Sequence, residues 1–364
     1  MDKKNIIQQK DHIILPKATL MRFIDDKTQR IYYLDLNDLD DISVKHIYPK
    51  SYHVSPNYYN PEYDDKVKKY ETAIGKLYKE IATAIENNTS INIDADTLRK
   101  QIIDFLTIEF HRSVIADDTM LEKYKNQQQK ENDKIDSMMF QKGTMTANRI
   151  EYSINYREQA KSKETFRNYT QNILGTVNFA ISATYRSFIP QILYIPKNRD
   201  YQFLLPPLHF VGNENFACFI LAPNVALALY PAPIANSLML AVDKERIVAI
   251  NFRILESVSV FDSDYREIVG GKGQLDKLKE RIVEIKSIYK INEIGIVIND
   301  DESFCVHDMD EVMEFVIILH LLSNAPKDTV KVRMKVQNFD KELLEKNKNE
   351  IEKLFQKYSF ELMV

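Results

Sequence analysis

Apolar residues recur at helical spacing from Tyr63 to Asn87, where Val67, Tyr70, Ile74, Leu77, Tyr78, Ile81 and Ile85 form one stripe. A second helix is predicted from a cap at Asp94 or Asp96 to about Val114, with Leu98, Ile102, Phe105, Leu106 and Ile108 inward. Glu122 to Asp136 is polar nearly all round and reads either as an exposed helix or as a loop without fixed structure. Residues 138 to 187 regain apolar spacing and predict helix that ends before Pro190. The pattern then changes to short apolar runs broken by proline, giving strands near 216–221, 225–230 and 237–242. Asp243 opens a helix with Ile247, Ile250, Ile254, Leu255 and Val258 on one side.

Either end of the chain extends this pattern. Asp11 to Phe23 predicts a short strand feeding a short helix, Asp25 to Thr28 a turn, and Arg30 to Leu36 and Ile42 to Tyr48 two neighbouring strands. Pro49 to Pro61 reads as an ordered loop. Residues 274–364 alternate helix 274–289, strand 293–298, turn 299–302, strand 303–307, helix 308–323, strand 328–336, helix 340–357 and strand 358–363. The fold class is therefore α+β: helical segments with a central sheet in a main body, residues 1–265, plus a C-terminal α/β sandwich module, residues 274–364. The composition shift from Ser263 to Gly273 marks the boundary.

Composition narrows the function classes. The 364 residues are 44% hydrophobic and 28% charged, an ordinary globular balance able to bury a sizeable core. A net charge of -4 gives no global basic field for nucleic acid or anionic lipid, although a local patch for nucleic acid stays open. Cys218 and Cys305 lie in apolar runs and read as free thiols in a reducing cytosol, not as a disulfide framework. The uncharged run from Asn215 to Val242 is long enough to span a membrane, but Pro223, Pro231 and Pro233 make it strands. No signal-peptide pattern follows Met1.

Candidate chemistry is sparse. His12 reads either as a general base or metal ligand, or as a residue hydrogen-bonded in a buried turn beside Pro16. Arg112 reads either as a clamp for a phosphate or carboxylate, or as a salt bridge anchoring a helix end. Glu109 and His111, two apart on a helix, point away from each other and make no metal motif. Gly270 to Gly273 resembles an anion-binding loop but lacks the phosphate-loop pattern and reads as a linker. Asn299 to Glu302 lacks calcium-loop spacing and reads as a solvated turn. Tyr48, Tyr52, Tyr58, Tyr59 and Tyr63 read as packing of a proline-rich loop in preference to a base-stacking surface. With no Gly-x-Ser-x-Gly, His-Glu-x-x-His or Cys-x-x-Cys, the commonest hydrolase and zinc readings drop out, and the cofactor and metal stay unknown.

His12, Pro16, Leu20 and Phe23 resemble the His-His-x-x-Pro opening of the bacterial family known as domain of unknown function 4238, with Ile13 in place of the second histidine. The resemblance continues through Ile31 to Asp35, Glu71 to Gly75, Phe110 to Arg112, Phe219 to Leu229 and Asn251, so it spans roughly residues 10–262 by short matches. The family's Ser-Asp-x-Pro turn has its nearest counterpart in Phe203 to Leu208, which carries no aspartate. The expected function is that of a cytosolic bacterial binding or interaction protein whose partner is a protein or a second copy of the chain; the resemblance assigns no activity and implies only an association with phage defence or mobile elements. The alternative is a hydrolase acting on a phosphodiester, with His12 as base or metal ligand and Arg112 stabilising charge.

Overall fold

The computed structural model describes residues 10–12, 14–56, 58–172, 181–197, 199, 201–213, 215–260, 265–292, 295–298, 304–323 and 329–364. It is an α+β protein in which helices pack on several separate sheets. The chain opens with β1 (Lys10–His12), α1 (Lys17–Leu20), β2 (Ile31–Asp35), β3 (Ser43–Ile47) and β4 (Val54–Pro56). β1 pairs with β4, and β2 with β3, both antiparallel.

Five helices follow: α2 (Pro61–Asn87), α3 (Ala95–Ala116), α4 (Asp118–Gln141), α5 (Ala147–Gln159) and α6 (Lys163–Asn172). Their starts have local causes. Asn60 accepts from the Tyr63 amide at 2.8 Å ahead of Pro61, Asp94 accepts from the Thr97 amide at 2.8 Å, and Asp117 accepts from the Met120 amide at 2.8 Å. α2 ends at Asn88, which takes a left-handed φ of 52°. The polar run Glu122 to Asp136 is thus helix, inside α4. The helix expected over 138–187 comprises the end of α4, then α5 and α6, with Gly143 turning the chain at φ 65° between α4 and α5. A further helical stretch covers 181–185.

The central sheet is built from β5 (Ile189–Tyr194), β6 (Phe210–Asn213), β7 (Phe216–Ala222), β8 (Val225–Tyr230) and β9 (Met239–Ala241), in the order β6-β7-β8-β5-β9. All neighbours are antiparallel except β5 and β9. Both faces are covered, which is why β7 and β8 read as unbroken apolar runs. Ile192, Phe219 and Leu227 face Phe105, Ile102 and Ile81 of the α2–α3 layer, while Leu193, Cys218, Ile220 and Ala228 belong to the larger core. Burying a side chain such as Phe219 contributes about 1.5–3 kcal/mol. Among the described residues no helix is long and apolar enough to cross a membrane.

α7 (Lys244–Val260) leads to β10 (Glu267–Gly270), which pairs antiparallel with β2, and to α8 (Lys272–Ile288). The glycine run is therefore the end of a buried strand and the first turn of a helix. A Cβ on Gly270 would lie 2.6 Å from Leu204 Cδ2, so only glycine lets that leucine close over the strand. The remainder comprises β11 (Tyr289–Asn292), β12 (Gly295–Ile298), α9 (Met309–Leu322), β13 (Val330–Arg333), α10 (Lys341–Lys357) and β14 (Phe360–Met363). These strands form one sheet, antiparallel at β11–β12 and parallel at β12–β13 and β13–β14. The strand expected over 303–307 is reduced to a single bridge between Val306 and Phe339, and the turn at 299–302 lies outside the described residues. Asp308 accepts from the Glu311 amide at 2.9 Å, and Glu311 accepts in return from the His307 amide at 2.8 Å. One continuous core runs from Ile14 through Ile31, Ile220 and Phe315 to Phe360.

Candidate functional site

His12 and Arg112, the two site residues singled out from the sequence, lie close enough for the charge of Arg112 to act on the His12 imidazole. His12 ends β1, and its backbone carbonyl accepts from the Tyr59 hydroxyl at 3.4 Å. Burial first, and then the positive charges of Arg112 and Lys17, push the His12 imidazole down to about 4. Arg112 is only 1% exposed. Its Nη2 donates to Glu71 Oε1 at 2.6 Å, and Glu109 lies 3.9 Å away, so the guanidinium links α3 to α2. Burial works against its charge, but Glu109 and Glu71 outweigh burial and raise its pKa.

Glu109 and His111 do point apart. Glu109 Oε2 sits 3.2 Å from His209 Nδ1 beside the central sheet, while the His111 ring faces Tyr63 of α2 at 6.0 Å. Burial tends to raise the Glu109 carboxyl, but Arg112 and His209 bring it below the usual range. The His111 imidazole is pushed down to about 4, by burial and then by Lys66. Both of its nitrogens, with Arg112 Nε and Nη1, are buried without a protein partner. His209 holds a left-handed φ of 63°, a conformation that costs a non-glycine residue about 1 kcal/mol.

Apart from Tyr48, which is exposed with Arg30 over its ring at 4.8 Å, the other tyrosine and cysteine candidates described are packing groups. Tyr58, Tyr59 and Tyr63 stack edge to face or tilted at 5.3 and 5.1 Å, and Tyr52 donates to Glu267 at 2.6 Å. Burial pushes the Cys218 thiol far above its ordinary range, which makes it a poor nucleophile. Among the described residues no three His, Cys, Asp or Glu side chains are grouped to hold a metal.

A wide concave feature lies elsewhere. A cleft of about 1060 Å³ opens between α4 and α5 on one side and the sheet edge and α7 on the other. Leu106 and Phe110 of α3, Phe210 and Val211 of β6, and Phe216 of β7 supply its apolar lining. From α4 come Tyr124, Gln128, Glu131 and Ile135, spaced four, three and four apart and so on one helix face. This spacing was readable, but its mixed polarity hid it from an apolar-periodicity reading. The neighbouring face of α4 turns to α5: Arg149 Nε donates to Asp136 at 2.7 Å and its Nη2 to the Asn132 carbonyl at 3.2 Å. Arg149 also stacks over Tyr152 at 5.0 Å, and both line the cleft.

Across the opening, Arg253 and Glu256 lie one turn apart on α7, and Lys357 ends α10. Arg253 Nη1 donates to Glu256 Oε2 and Lys357 Nζ to Glu256 Oε1, both at 2.7 Å. Burial alone would raise the Glu256 carboxyl, but Lys357 and Arg253 hold it below the usual range. Behind the lining, Glu109 and His209 tie α3 to the start of β6, with Phe110, Leu208 and Phe210 as their chain neighbours on the cleft side. No family model matches this chain, and neither does any curated protein or solved structure.

Proposed function

We propose that this chain is a binding protein whose cleft takes an elongated, mostly apolar small molecule. The observation that carries the reading is the cleft itself: about 1060 Å³, apolar inside and polar at its edges, the size and chemistry of small-molecule sites, which run to about 1,000 Å³. A decyl chain entering it gains on the order of 7 kcal/mol of apolar transfer before association costs are subtracted. Exposed Met138, Phe140, Ile150 and Ile154 on the α4–α5 hairpin support a protein partner or a second copy as a further contact. Two free cysteines support a reducing compartment, and with it the cytosol. An association with phage defence or mobile elements rests on the sequence resemblance alone.

Titration with the neutral dye N-phenylnaphthylamine tests the reading, because its fluorescence rises on entering an apolar site. Saturable binding is expected, weakened severalfold by Ile135→Glu, a change at a residue 42% exposed that leaves the core intact. Absence of saturable binding, or binding indifferent to Ile135→Glu, counts against the cleft.

The hydrolase reading is second and rests on the charge of Arg112 reaching His12. Hydrolysis of bis-p-nitrophenyl phosphate that His12→Ala abolishes, with the melting temperature unchanged, would support it; no hydrolysis by the wild type would remove it.

A further inference from the structure

The cleft has a charge imbalance built into one end. Glu256 gives one oxygen to Lys357 and the other to Arg253. A single carboxylate balances one of these cations and leaves a unit of positive charge over. Both side chains stay partly open, Arg253 at 45% and Lys357 at 43% exposure, and a guanidinium and an ammonium have donors to spare after one bond each to Glu256. Lys357 also reaches the Tyr358 hydroxyl at 3.3 Å, which still leaves a donor.

The facing wall carries the opposite sign. Glu131 of α4 accepts from Gln127 at 3.1 Å and Gln128 at 3.4 Å, both neutral amides. Arg149, the cation on that side, is matched by Asp136 at 2.7 Å. An amphipathic molecule with its body along Phe110, Phe210 and Phe216 therefore meets repulsion at one end if anionic and attraction at the other.

We propose that the ligand carries a single anionic head, a carboxylate on an acyl or aryl body, held by Arg253 and Lys357. This rests on the binding reading above. It also assigns a role to the C-terminal segment: α10 brings Lys357 to a site otherwise built from residues before 258. Glu256 acts in the assignment as a placeholder, keeping both cations in position while competing with the incoming carboxylate.

The experiment is displacement of N-phenylnaphthylamine from the full chain by decanoate and by decanol, which share a chain length and differ in the head. The readout is the ratio of their displacing concentrations, compared between wild type and variants, so that the intrinsic difference in hydrophobicity cancels. Lys357→Met and Arg253→Met should each shift the ratio about fivefold against decanoate, the size of one partly exposed charge-assisted contact. Glu256→Gln should shift it about fivefold the other way, because the carboxylate that competes for the cations is gone. The two methionine variants alter exposed side chains, so they carry the test even if Glu256→Gln perturbs the fold. Dye binding with an unchanged ratio in both cation variants overturns the anionic head and leaves the cleft reading standing. A wild-type chain that binds no dye overturns both.

Discussion

Two carboxylates in this molecule each sit between nitrogen-bearing side chains, and they behave differently because water reaches only one of them. Glu109 lies between Arg112 and His209, its side chain 5% and theirs 1% exposed. Glu256 lies between Arg253 and Lys357, whose side chains are nearly half exposed. In the first setting, removing one partner strands a charge in a low-dielectric interior. In the second, solvent takes over the vacated bonds, and the charge is available to a ligand. The same arrangement of groups thus fastens the fold at α3 and provides chemistry at the cleft.

Cutting the buried cluster should have the largest effect. Arg112→Ala is expected to destabilise the protein by about 3–5 kcal/mol in urea unfolding, because Glu109 and Glu71 lose their shared cation. A loss under about 1 kcal/mol would mean that Arg112 is a ligand clamp and not a fastening.

Acid comes next. His111 has its imidazole pushed down from 6.5 to about 4 in the folded chain, so the unfolded chain binds the proton first. The His111 contribution is then flat above pH 6.5, falls as pH drops from 6.5 to about 4, and levels off below that. Burial at this site is complete, and the loss is on the order of 3 kcal/mol. His12 adds a smaller slope over the same range, since it is half-buried and solvent screens part of its shift. Denaturation midpoints of wild type and His111→Gln across that range check this; an unchanged slope in the variant places the acid sensitivity elsewhere.

Lys357→Met should change stability least, by under about 1 kcal/mol, whatever it does to ligand preference. A large destabilisation there would erase the contrast between the two carboxylates.

Much of the fold was legible because it follows from short-range rules. The stripes in α2 and α3, the caps at Asp94 and Asp308, and the buried strands β7 and β8 are all readable within a window of one element. Residues 138–187 are helical as expected over most of their described length, but in separate helices, because Gly143 and the polar stretch around it turn the chain. The sequence offers a salt bridge for Arg112 but not its Glu71 partner, since nothing along the chain connects positions forty-one residues apart. The cleft was invisible for a related reason. Lys357 meets Glu256 across 101 residues, and α4 shows the cleft a face of mixed polarity that no periodicity measure rewards.

The central sheet, apolar on both faces, has a consequence for the order in which a ribosome delivers the chain. Helices α2 and α3 precede the strands and are ready to cover the face of Phe219 and Leu227 as soon as β7 and β8 emerge. The other face, with Leu193, Cys218 and Ile220, shares its core with residues as late as Phe360. That core also draws on Leu20 and Phe23 ahead of the sheet and Ile247 and Ile254 just after it. The second layer therefore starts early but closes only with the last residues, and until then a nascent chain keeps apolar surface in need of protection from aggregation.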